Sequence, residues 1–297
     1  MAEARSGPGA RRQRRAPAGL TTALPLAPFL VYVAIFLLTP TLVVVVGAFL
    51  DDDGAFTLGN LSGLVEPSAL ERLWNSVLVS AVTAVVGGVA GAVLAWLVVT
   101  LPQSSLVRRS VLSVAGVFAQ FGGVTLAFAF IATLAQQGVV TQALRDSAGI
   151  DLYGSGWLYD IPGIMLVYLY FQIPLMVIVF VPALEGLRPQ WREAAVSLGA
   201  TRWQYLTQVA FPLLTPAFLG SLLLLFANAF AAYATAAALV SQGSPILPLF
   251  IRNALTSEVV LGRQNLAFAL ALEMIVVVAV VMGLYALLLR RTSRWLQ

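Results

Sequence analysis

The chain has 297 residues, 60% of them hydrophobic and only 10% charged, with a formal net charge of +4. Soluble domains carry about 25% charged residues, so this composition together with a mean hydropathy of +0.90 excludes a water-soluble globule. All 17 basic residues are arginine, and Lys, His and Cys are missing, which excludes a P-loop within the chain, the usual zinc sites, thiol nucleophiles and a Ser-His dyad.

Residues 1–23 are rich in Arg, Ala, Gly and Pro, with Arg5, Arg11, Arg12, Arg14 and Arg15, and read as a flexible basic tail. The apolar run from Pro25 to Leu50 is too long for a signal-peptide core and lacks a small-residue exit, so it is expected to remain as a first membrane helix. It ends at Asp51, Asp52 and Asp53, followed by an acidic loop to about Glu71. A second helix is predicted over about Leu73–Leu101, where Ser76, Ser80, Thr83, Gly87 and Gly91 recur on one face. Its Gly87-x(3)-Gly91 end predicts a close contact with another helix.

A third span is expected over about Val111–Leu134, then a hydrophilic connection from Gln136 to Asp160, then a fourth span over Pro162–Leu184 with kinks at Pro174 and Pro182. The fifth is expected over Leu213–Val240 and the sixth over Asn265–Leu289, separated by a short partly amphipathic piece over about Leu247–Val260 that is either re-entrant or a surface helix. These elements predict an all-α membrane protein with six transmembrane helices occupying residues 24–297, and no internal repeat is evident. With the N-terminus inside, 13 of the 17 arginines lie on the inner side and nine of the 13 acids on the outer, so both termini are expected in the cytoplasm. This placement also explains the pI near 9.8 without nucleic acid as a partner.

One polar segment, Arg188–Pro212, interrupts the second half: RPQWREAAVSLGATRWQYLTQVAFP. Pro189 suits a first helical position, Glu193 is expected in the first turn against the dipole, and Gly199 suits a helix stop. Thr201 and Gln204 then have the form of a capping box opening a second helix. By itself this describes two short helices, either a surface-lying amphipathic pair or a docking loop.

Glu193, Ala194, Ala195, Gly199, Val209, Phe211 and Pro212 follow the pattern E-A-A-x(3)-G-x(9)-I-x-L-P, with Val209 and Phe211 replacing the Ile and Leu. This resembles the cytoplasmic loop of ABC importer permeases, and the residues around it and over 222–239 are similar to permeases of the polyamine, iron, thiamine and phosphonate type. The resemblance implies a type I ABC importer permease of the bacterial plasma membrane, itself non-catalytic. It implies a second permease, homologous but different, two cytoplasmic ATPases holding ATP and magnesium, and an extracytoplasmic binding protein. The loop 188–212 would be the coupling helix, with Glu193 as its polar anchor, Trp191, Ala194, Ala195 and Leu198 filling the ATPase groove, Gly199 permitting the turn and Pro212 closing the motif. A polyamine or similar organic cation is the expected solute, with sugar, phosphonate, thiamine or iron as the alternative. A secondary transporter is a more distant one.

Polar groups within the spans are candidates for the solute pathway. Ser221, Asn228 and Thr235 recur every seven residues, Tyr168 and Gln172 share a face, and Gln120 lies in the third span. Each reads equally as an interhelical hydrogen bond. Glu273 lies about 12 Å into the sixth helix with no basic residue in that span, and reads as an attractor of a cationic solute or as a structural, water-facing group.

Overall fold

The computed structural model describes residues 26–154, 156–240, 243, 245–256 and 263–293. The basic tail expected over 1–23 lies outside the described residues, as does the end of the 247–260 piece. By length and composition, six helices suffice to cross a membrane: Ala27–Gly47, Pro67–Thr100, Gly123–Ala148, Ile161–Glu185, Arg202–Phe230 and Gln264–Leu287. The first of these is α1, which includes a π turn at Ala34–Leu38 and packs against the last long helix. Nearly all of its side chains are exposed apolar groups, as expected for a surface whose solvent is lipid.

Helix α2 spans Pro67–Thr100, beginning six residues before the expected start because Pro67 opens the helix and Glu66 precedes it in extended conformation. The expected third span is divided into α3, Leu106–Gln120, and α4, Gly123–Leu134. The helix breaks at Phe121–Gly122, and Gly123 takes a left-handed φ of 71° that a side chain would resist. A short amphipathic α5, Val139–Ala148, occupies part of the connection expected to be hydrophilic.

Helix α6, Ile161–Glu185, is the central element and runs through both Pro174 and Pro182. It packs against α2, α3 and the fifth long helix. The small-residue face of α2 makes the first contact possible, as the sequence predicts. Ser76, Ser80, Thr83, Gly87 and Gly91 are all buried, and a Cβ on Gly91 would approach Met176 Cβ to 2.5 Å and the Ile173 carbonyl oxygen to 2.6 Å. Without a hydrophobic drive between helices in lipid, this close backbone approach supplies the packing.

After α7, Pro189–Ser197, helix α8 spans Arg202–Phe230 and includes a π turn at Leu206–Ala210. The expected fifth span to Val240 is instead interrupted at Ala231–Tyr233, with α9 resuming over Ala234–Leu239. Helix α10, Leu247–Thr256, buries Leu247, Pro248, Leu249 and Ala254 against α2 and α11, Arg263–Ser293. The Leu247 N–H donates to Ser76 Oγ at 2.7 Å, tying α10 to α2.

Candidate functional site

The loop between α6 and α8 is built from local signals. Arg188 is extended, Pro189 opens α7 where a missing N–H costs nothing, and the helix stops at Gly199 with φ 79°. The Ala200 N–H donates to the Ala195 carbonyl and the Gly199 N–H to that of Val196, both at 2.9 Å, which is a Schellman closure. The capping box also forms: the Gln204 N–H donates to Thr201 Oγ1 at 3.2 Å and the Thr201 N–H to Gln204 Oε1 at 2.7 Å. One expectation fails, because with Pro189 at the first position Glu193 falls in the second turn, beyond the strongest part of the helix dipole.

Helix α7 buries none of its residues. Trp191, Glu193 and Ala194 are exposed, Ala195 is half-buried, and Leu198 is 88% exposed. Val196 and Trp203 add to the uncovered apolar surface. An exposed apolar patch on a helix closed at its C-terminal end suits contact with a protein partner or with the membrane surface. Pro212 lies two residues past the end of the π turn, in the first turn of the α-helical segment that resumes at Phe211.

The root of this loop is braced by an ion pair that sequence reasoning missed. Arg108 is almost fully buried, pairs with Glu185 at the last turn of α6, and donates to the Leu101 carbonyl at 3.1 Å. The two residues are 77 positions apart, so no local pattern marks them.

The candidate pathway residues separate into two sets. Tyr168 and Gln172 are buried and donate into the fifth span: Tyr168 Oη to the Ala232 carbonyl at 2.5 Å and Gln172 Nε2 to the Leu225 carbonyl at 2.9 Å. Thr235 is buried and accepts from the Gly123 N–H at 2.9 Å, so the two helix breaks close on each other. Ser221, also buried, bonds within its own helix to Ala217. Asn228 and Gln120 are exposed. The seven-residue stripe of Ser221, Asn228 and Thr235 does not exist as one surface, because the break at Ala231–Tyr233 reorients Thr235. Glu273 is half-buried, and its Oε2 is enclosed without a hydrogen-bond partner among the described residues.

These bonds predict that Tyr168→Phe, which withdraws the donor from a carbonyl at a helix break, lowers stability by about 1–2 kcal/mol. Thermal unfolding in detergent measures it, and unchanged stability with reduced uptake would instead mark Tyr168 as a solute contact. Outside the spans, Arg145 Nη2 donates to Asp151 Oδ1 at 2.9 Å and holds that carboxyl below the usual aspartate range, pinning the exit of α5.

The fold is thus an all-helical membrane protein of six long apolar helices, two spans broken and one capped helix projecting from the bundle. A family model described as "Binding-protein-dependent transport system inner membrane component" matches residues 19–294, and the chain belongs to that family. Among solved structures, a bacterial ABC transporter involved in the import of the acidic polysaccharide alginate superposes with TM-score 0.75 and 19% identity, covering 91% of this chain and 95% of that one. The architecture is accordingly that of type I ABC importer permeases, a family of non-catalytic membrane subunits. A putative ferric transport system permease protein of Haemophilus influenzae is 28% identical over 201 residues, 66% of this chain and 30% of that protein. A sulfate transport system permease protein of Escherichia coli is 26% identical over 179 residues, 60% of this chain and 57% of that protein. The matches therefore span less than two thirds of either relative.

Proposed function

We propose that the chain is the permease subunit of an ATP-driven importer in a bacterial plasma membrane, with both termini cytoplasmic. It forms the solute path with a second permease, receives solute from an extracytoplasmic binding protein, and is driven by two cytoplasmic ATPases that carry the ATP and magnesium. The observation that carries this reading is the exposed α7, bearing E-A-A-x(3)-G and closed at Gly199. Its rigid connection to α6 and α8 would turn movement of the docked ATPase into movement of the spans. The absence of Lys supports nucleotide binding by another subunit.

For the solute, the expected polyamine rests on the general resemblance of two stretches, whereas the relatives reported above are named for ferric and sulfate transport. Their names favour the alternative, and ferric ion is the first solute to test. The reconstituted complex, given candidate binding proteins, should hydrolyse ATP faster with ferric ion than with spermidine, thiamine or a disaccharide. Stimulation by spermidine alone would restore the polyamine reading. Glu273 supplies a separate test of solute charge. With a cationic solute, Glu273→Gln is expected to lower uptake about tenfold, a loss of about 1.4 kcal/mol. Unchanged uptake by that variant would remove Glu273 from the path and fit an anion such as sulfate.

A further inference from the structure

An apolar groove of about 560 Å³ opens on the side of the bundle between α2, the end of α6 and the start of α8. Ala92 and Trp96 form one wall, Leu187 the inner end, and Tyr205, Leu206 and Phe218 the other wall. Trp96 is 51% exposed at its lip, so the groove faces the surroundings of the bundle. The π turn Leu206–Ala210 forms part of the wall, and such turns widen a helix locally and recur at functional sites. From Tyr205 to Phe218 the wall extends about 20 Å at 1.5 Å per residue, the depth of one leaflet with its headgroup layer.

Two exposed arginines adjoin the residues at the inner end of the groove in sequence, outside its lining. Arg188 directly follows Leu187, and Arg202 lies one turn before Leu206 on the same helical face. Neither has an ion-pair partner among the described residues. An apolar slot of leaflet depth, flanked at its inner end by two exposed arginines that make no ion pair among the described residues, suits a phospholipid: acyl chain within, phosphate at the rim. We propose that this groove binds an anionic glycerophospholipid, which packs between the first half of α8 and the last turns of α2, beside the loop 188–212. A helix of a second copy would not need the arginine rim.

The full-length chain, purified with its partner subunits in nanodiscs containing phosphatidylglycerol and phosphatidylcholine, tests this by native mass spectrometry. Phosphatidylglycerol should be retained in preference, and Arg188→Gln with Arg202→Gln should weaken its retention about thirtyfold. Those changes alter exposed side chains only, so they report on the site without disturbing the core. Ala92→Phe, which fills the groove, should abolish retention of either lipid. Equal retention of both lipids by the unaltered chain, or unchanged retention by the arginine pair, would overturn the proposal. So would a photocrosslink from position 96 to the second permease in the assembled complex, because the groove would then be covered by protein.

Discussion

Reversing charge at Glu193 with Arg, or replacing Gly199 with Val, is expected to abolish stimulation of ATP hydrolysis by the binding protein while the subunit still inserts in the membrane. Glu193 is exposed on α7 and makes no ion pair among the described residues. On the proposed docking of α7, its reversal acts on the ATPase interface, where misplacing one charge costs about 100-fold in affinity. Gly199 acts through the backbone. With φ 79° and open space around its Cα, a valine would meet no neighbour but would have to hold a left-handed conformation. That costs about 1–3 kcal/mol and unseats the Schellman closure that fixes the exit of α7. ATPase assays of the reconstituted complex, with membrane insertion followed by immunoblot, separate the two consequences. Full stimulated hydrolysis by both variants would remove α7 from the coupling route.

The second large effect is expected at the α2–α6 contact. Gly91→Leu introduces a branched side chain whose Cβ would lie only 2.5 Å from Met176 Cβ and 2.6 Å from the Ile173 carbonyl oxygen. Part of the obstruction is backbone, so a change of rotamer cannot relieve it, and overpacking of this kind costs about 3 kcal/mol. A subunit destabilised by that amount should be lost from membranes and show a lower unfolding midpoint in detergent. Gly116→Leu on α3, with nothing near its added Cβ, is the matched control and should leave both unchanged. Equal behaviour of the two variants would refute the role of the small-residue face.

What could be read from sequence and what could not divide along physical lines. The conformation of the loop 188–212 was legible because its signals are local: Pro189 starts a helix, Gly199 ends it, and Thr201 with Gln204 starts the next. The α2 face was legible because small and hydroxylated residues at helical spacing contrast with valine and leucine. The broken spans were not, because lipid makes every apolar residue equivalent and hydropathy continues unchanged across Phe121–Gly122 and Ala231–Tyr233. Gly122-Gly123 offers a hint of the first break, but Ala-Ala-Tyr offers none of the second. That break is stabilised by Tyr168, donating from α6, and adjoins Gly123, which donates to Thr235. The pairing of Arg108 with Glu185 is likewise tertiary, since each residue alone reads as a charge at a span end.

The most direct test of α7 as the coupling helix is a photocrosslinker placed at Val196, an exposed position on that helix, in native membranes with the whole complex expressed. The predicted product is an adduct with a cytoplasmic ATPase subunit that disappears in the Gly199→Val background. Adducts formed only with lipid, or with a protein on the opposite side of the membrane, would contradict the account.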